Sequence, residues 1–262
     1  MPKIKDIISA MEEVAPKRAA LEWDNPGLMT GDPEAEVKKA VVALDVEDEV
    51  ITEAINLGAN LIITHHPLIF SPVKAVTPET RAGKLLLRLI ENRIAVFSAH
   101  TNLDVSPIGT NAYLAELLEL EDIEFLMPSQ DGVYAMGRVS SLKQRTKTED
   151  FAEFVKNKLN LSNMVYIKST EYVTKIGLCT GHGCDREFLE AAKAKGCDGY
   201  VTGDVSYHEA QEACHLGISL FDGTHYGTEA IVAPNVVSYL KSKFSDLDIQ
   251  ATKTNCQTHK II

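Results

Sequence analysis

Short runs of consecutive apolar residues alternate along this chain with longer segments whose apolar positions recur at helical spacing. In the first half, the runs at 40–44, 61–64 and 94–98 predict buried parallel strands, and the segments at 46–57 and 84–92 predict helices. The rhythm returns in the second half, with strands expected at 174–179, 199–202 and 218–221 and helices at 185–195, 207–215 and 229–243. Residues 133–139 are expected to open the second sheet, and Thr148 to cap a helix running to about residue 159. Strand, helix, strand in this order is the βαβ signature, so the chain is expected to be α/β, with two similar lobes of mixed sheet flanked by helices. The acidic segment 120–131 contains the turn-rich Pro128-Ser129-Gln130-Asp131-Gly132. It sets the expected division into a first lobe, 1–128, and a second, 129–262.

The two halves echo one another. Residues 57–66, ending in His65 and His66, resemble residues 195–204, ending in Gly203 and Asp204; in each, a helix stops at glycine and a strand delivers polar groups. Likewise, the apolar run 94–97 precedes His100 and the run 218–221 precedes His225. The echo is either a duplication or two βαβ units obeying the same rules.

At 262 residues there is ample material for a buried core. A formal charge of −11 disfavours nucleic acid as the main partner, because phosphate binding needs clustered Lys and Arg. Bound divalent cations would offset part of that charge. The start of the chain is amphipathic rather than signal-like, and no apolar run approaches the roughly 18 residues of a membrane span, so a soluble, cytoplasmic protein is expected. The cysteines, Cys179, Cys184, Cys197, Cys214 and Cys256, are odd in number and fit reduced thiols. Their spacing matches no common zinc pattern.

The chemistry concentrates after three strands. His65 and His66 follow the strand at 61–64, where open α/β sheets place their ligands. Adjacent residues at a strand end point in opposite directions, and Pro67 biases His66 towards an extended conformation, so the doublet can address two ions. His100 and Asp104 follow the strand at 94–98, and His225 and Glu229 follow the one at 218–221. A single histidine after a strand is usually a hydrogen-bonded structural residue. Four imidazoles and two carboxylates at three equivalent strand ends instead point to two divalent metal ions. The mixed nitrogen and oxygen donors suit Zn, Mn, Fe, Co or Ni. Two ions about 3.5 to 4 Å apart generate hydroxide near neutral pH and polarise the atom it attacks, which is hydrolytic chemistry. His100 is either a ligand or a neighbour that orients the attacking water and shuttles its proton.

Residues Thr64-His65-His66-Pro67-Leu68-Ile69-Phe70, Ser98-Ala99-His100-Thr101-Asn102-Leu103-Asp104 and Gly223-Thr224-His225-Tyr226-Gly227-Thr228-Glu229 resemble signatures of the NIF-three-like dinuclear-metal proteins, also labelled GTP cyclohydrolase 1 type 2 homologues. Trp23-Asp24-Asn25-Pro26-Gly27-Leu28 and Thr202-Gly203-Asp204-Val205-Ser206-Tyr207-His208 resemble two further motifs of that family, so the likeness spans nearly the whole chain. It implies two α/β lobes with a metal pair in the cleft between them, and a toroidal homohexamer. By motif, it implies His65, His66, Asp104, His225 and Glu229 as ligands, Glu229 as the bridge, and His100 as a ligand or close neighbour. The implied activity is attack of metal-bound hydroxide on a purine nucleotide such as GTP, with loss of formate. A two-metal phosphoesterase, or a non-enzymatic metal-binding or regulatory hexamer, is the alternative. The length corresponds to the short form of the family. Departures lie at Pro26 and at Gly181-His182-Gly183.

Secondary candidates carry less. The turn Thr180-Gly181-His182-Gly183 could cradle a phosphate, but it lacks a Walker lysine and reads better as a connection. His182 faces either the cleft or solvent. Asp204 and His208 are a candidate substrate contact or acid/base pair, or else they decorate a helix start. His215 and His259 read as ordinary helix-end and tail residues.

Overall fold

The computed structural model describes residues 1–130 and 132–259, so Asp131 of the expected boundary turn and the last residues of the expected second lobe lie outside the described residues. In chain order the elements are α1 (Ile4–Val14), β1 (Gly27–Thr30), β2 (Lys39–Ala43), α2 (Asp48–Leu57), β3 (Leu61–Thr64), α3 (Arg81–Glu91), β4 (Ala95–Ser98), α4 (Thr101–Asp104) and α5 (Thr110–Leu117). There follow β5 (Glu124–Pro128), β6 (Ala135–Lys147), α6 (Thr148–Lys158), β7 (Val165–Ile167), β8 (Tyr172–Leu178), α7 (Arg186–Ala194), β9 (Gly199–Thr202), α8 (Tyr207–Leu216), β10 (Ser219–Asp222), α9 (His225–Glu229), α10 (Val232–Lys243) and β11 (Asp248–Ala251). The fold is α/β, with two mixed sheets flanked by helices, as the hydrophobic pattern predicted.

The first sheet has the order β1-β4-β3-β2-β11, and the second β5-β6-β8-β9-β10-β7. Alternate residues of each strand serve opposite faces. In the first sheet Val41, Ile62 and Val96 pack with Val50, Ile51 and Ala54 of α2 and Leu85 and Leu89 of α3. In the second, Val201 and Phe221 meet Phe151 and Val155 of α6, while Tyr200 and Leu220 meet Leu189 of α7 and Ala213 of α8. Strands covered on both faces must be apolar throughout, which is why they appear in the sequence as continuous runs.

The chain divides into two compact units, Met1–Leu103 with Val232–Thr258, and Asp104–Ile231. A linear cut at residue 128 misses this because the chain returns: β11 pairs in parallel with β2 along Ile249↔Ala40, and α10 packs on both strands. The helix expected at 229–243 is two helices, broken between Glu229 and Val232. Pro234 has no N–H to give to residue 230, so a continuous helix would lose a hydrogen bond there and meet a steric clash. Among the described residues no helix is long and apolar enough to cross a membrane. The cysteines are free thiols, and burial pushes the pKa of Cys184 and of Cys197 up to about 12.

The sequence echo has a topological counterpart. β2, β3 and β4 run parallel, in register Leu61↔Ala95 to Thr64↔Ser98, with β1 antiparallel on the outer side of β4. β8, β9 and β10 do the same, in register Gly199↔Ser219 to Thr202↔Asp222, with β7 antiparallel on β10. Both units are built around one four-strand frame.

Candidate metal centre

In the first unit, β3 and β4 end level with one another, and the chain leaving them carries His65, His66 and His100. One ligand atom from each lies within 4.8 Å of the others. The ring centroids are 5.1 Å apart for His65–His66 and His65–His100, and 5.6 Å for His66–His100. Each ring is oriented through Nδ1: His65 to the Ala99 carbonyl at 3.0 Å, His66 to Asp45 Oδ1 at 2.7 Å, and His100 to Asp24 Oδ1 at 2.8 Å. Carbonyl and ionised carboxylate oxygens only accept, so Nδ1 carries a proton, and in the neutral form of each ring the lone pair is on Nε2. Imidazoles held in this way are pre-set as metal ligands.

Asp24 fastens His100 and the residue that follows it. Its side chain is buried, and it accepts from His100 Nδ1, the Thr101 amide at 3.0 Å and the Thr101 hydroxyl at 2.6 Å. Burial works to raise its pKa, but the hydrogen bonds from His100 and Thr101 prevail and hold it at about 2. Neither Asp24 nor Asp45 emerged from the sequence as a functional position. Asp45 was discoverable as a carboxylate just past β2, the neighbour of β3; Asp24 lies in a loop with no periodic signal, and its place in the motif at 23–28 was the sign that could have singled it out.

The second unit holds Asp104, His225, Glu229 and Asp204. His225 Nδ1 lies 2.8 Å from Asp204 Oδ2, and its Nε2 lies 2.9 Å from Glu229 Oε2, so the ring spans two carboxylates. Glu229 is 4% exposed, on the last turn of α9. Asp104 is also buried and accepts from the Thr110 hydroxyl, which itself accepts from Thr180 Oγ1 at 2.8 Å. The Gly181 amide donates to Thr228 Oγ1 at 3.0 Å, so one hydrogen-bonded tract runs from the Asp104 segment to the residue before Glu229. Arg138, buried nearby, donates to the carbonyls of Ala135 and Gly137 at 2.8 Å and of Val105 at 3.4 Å.

Backbone strain sets this geometry. Asp204 (φ 54°) and Thr224 (φ 62°) both occupy the left-handed region, which costs a β-branched residue most. Asp222 bridges the two turns, accepting from Thr224 N at 2.8 Å and Val205 N at 3.1 Å. Burial raises its pKa. Glycine is required at two approaches. A Cβ on Gly181 (φ +62°) would collide with the Glu229 carboxylate, and one on Gly203 would lie 2.6 Å from the His225 backbone nitrogen. The Gly181 turn is thus a connection whose glycine makes room for Glu229.

The remaining candidates do not join these groups. His182 is exposed, with Nε2 3.6 Å from Glu209, and His208 lies exposed on α8 with Nδ1 3.3 Å from Gln211. Asp204 meets the ring of His225 rather than forming a pair with His208.

Imidazoles that offer Nε2 when neutral, with buried carboxylates, are a donor set that suits a borderline divalent ion such as zinc or iron(II). The sequence pattern of the Duf34/NIF3 family (NGG1p interacting factor 3) matches residues 2–260. A GTP cyclohydrolase 1 type 2 homolog of Clostridium perfringens is 35% identical over 254 residues, covering 96% of each chain. A Methanocaldococcus jannaschii protein of the same name is 36% identical, covering 94% of this chain and 98% of its own. The solved Bacillus cereus protein related to NIF3 superposes with a TM-score of 0.93 at 27% identity, covering 100% of this chain and 99% of that one. The chain belongs to the Duf34/NIF3 family.

Proposed function

We propose that this chain is a metal-dependent hydrolase that binds two divalent cations and opens the purine ring of a nucleotide. His65, His66 and His100 supply imidazole donors, and Asp104, His225 and Glu229 supply carboxylate and imidazole donors. The observation that carries this is the common fastening of the three rings of the first unit: His65, His66 and His100 each hold Nδ1 on an oxygen acceptor and so present Nε2. A purely structural role gives no reason for three clustered rings to share one tautomer.

When bound, divalent ions lower the pKa of water towards neutrality and polarise the electrophile. The protein's part is to orient the donors. Asp24, Asp45 and Asp204 accept hydrogen bonds from Nδ1 of His100, His66 and His225. Glu229, beside His225, is the carboxylate we assign to bridging. The purine nucleotide follows from the names of the relatives, and we extend the family likeness to a cytoplasmic toroidal homohexamer, tested by light scattering.

Protein loaded in turn with Mn, Fe, Co, Ni or Zn and incubated with GTP is expected to release formate and a fluorescent pterin-like product. Absence of turnover with every metal rejects the hydrolase. For the site itself, His65→Ala and Glu229→Ala are expected to lower bound metal to about half or less of the wild-type content by plasma emission spectrometry. His182→Ala should leave it unchanged. Equal metal in all three variants removes the ligand assignment.

A further inference from the structure

We infer that Trp23 and Phe70 form a stacking platform for a planar heteroaromatic ring beside the His65–His66–His100 cluster. Trp23 is 59% exposed and Phe70 51%. Large aromatic surfaces left in water forgo the burial that would stabilise the fold, so their position calls for another explanation. Their rings lie 5.8 Å apart at 52°, and the His100 ring lies 6.0 Å from Trp23 and 6.4 Å from Phe70.

The pair is held in place rather than left to wander. Asn25 Nδ2 donates to the Ile69 carbonyl at 2.6 Å, tying the Trp23 loop to the Phe70 loop. Asp24, next to Trp23, is the carboxylate fastened to His100 and Thr101, and the Leu21 amide donates to Thr101 Oγ1 at 2.9 Å. The hydrogen bonds that orient a candidate ligand therefore also fix the platform relative to it. A ring stacked on either aromatic would lie beside the His100 imidazole, whose centroid is 6.0 Å from Trp23 and 6.4 Å from Phe70. That placement favours a small planar ligand over the apolar face of a second copy, which would not need registration against His100. A nucleobase or pterin has the required flat face and edge heteroatoms. The inference rests on the proposed hydrolase only in naming the ring as a purine.

Trp23 is the single tryptophan of the chain, so intrinsic emission reports the platform directly. Zinc-loaded protein is titrated with guanosine monophosphate, and with ribose 5-phosphate and inorganic phosphate as arms lacking the ring. Saturable quenching by guanosine monophosphate alone is expected. Calorimetry should show Trp23→Ala and Phe70→Ala weakening it about 5- to 150-fold, the equivalent of one base stacked on an aromatic side chain, with metal content unchanged. Trp23→Phe, which keeps a ring, should restore most of that affinity.

Equal affinity for ribose 5-phosphate, absence of quenching, or wild-type nucleotide binding by both alanine variants overturns the platform. So does a change confined to oligomer mass, which would assign the face to a second copy. Quenching without GTP turnover leaves the platform standing and rejects the hydrolase. Turnover with an unchanged KM in Trp23→Ala does the reverse.

Discussion

The end of β3 delivers two adjacent imidazoles, His65 and His66, whereas the equivalent end of β9 delivers Gly203 and Asp204. Beyond β4 stands His100, and beyond β10 stand Thr224 and His225. The frames are alike, but the means of fixing the side chains differ. In the first unit the rings sit on unstrained strand ends and are aimed by acceptors from neighbouring segments, Asp45, Asp24 and the Ala99 carbonyl. In the second, His225 also meets an acceptor, Asp204, but it and Glu229 share one short helix whose approach needs left-handed Asp204 and Thr224, an Asp222 bridge, and glycine at 181 and 203. One fold unit can thus present donors either through extra hydrogen-bond partners or through backbone conformation. The second route concentrates the cost in a few residues.

The sharpest way to break this comparison is to add a methyl group at a glycine in each unit. Gly181→Ala combines a left-handed φ with a collision against the Glu229 carboxylate, and is expected to cost about 3 kcal/mol or more in urea unfolding and to lower metal uptake. Gly58→Ala, at φ +68° after α2 but with nothing within 4 Å of its Cβ, is expected to cost only about 1 kcal/mol. Equal costs would show that the approach to Glu229 is slack.

Removing a carboxylate from each unit should then separate stability from ligand aim. Asp222→Ala strands the Thr224 and Val205 amides in a partly buried turn, and a loss of about 2 kcal/mol is expected. Asp45→Ala leaves the backbone alone and releases His66, so calorimetric metal affinity should fall about 10- to 100-fold with little change in stability. If Asp45→Ala destabilises as much as Asp222→Ala, the contrast between aim and scaffold fails.

The smallest effect expected is in acid. Glu53, on α2, is shifted upward by burial but held below its ordinary 4.5 by hydrogen bonds from Thr252, Lys253 and Thr254. Folding favours its ionised form, so its contribution is complete above pH 4.5 and is lost as pH falls through the lower folded value. Glu53→Gln should flatten the acid limb of the stability curve in that window and leave it parallel to wild type at higher pH. Asp222 has the opposite sign, since its raised pKa makes folding disfavour the ionised form; its contribution is greatest below the ordinary value and declines as pH rises.

The central strands were legible because strands buried on both faces appear as unbroken apolar runs; the runs at 61–64 and 199–202 are β3 and β9 themselves. The edge strands β1, β5, β7 and β11 were not anticipated, since a short edge strand carries no such run. The ligand candidates were legible as types at strand ends, where open α/β sheets gather side chains. Their fastening was not. Asp24 reaches His100 across a loop, and the Gly181 requirement exists only because Glu229 occupies the space beside it.

By itself, the sequence determined that the chain is α/β, which strands lie at the centre of each sheet, and that imidazoles and carboxylates cluster just beyond them. Apolar periodicity and residue type are local properties that a reader can take from the order of letters. Only the tertiary structure decided that β11 returns to the first sheet, that His65, His66 and His100 present Nε2, and that Trp23 and Phe70 stand in water beside His100. These depend on contacts between distant segments and on the volume each side chain leaves to its neighbours, which no spacing in the sequence encodes.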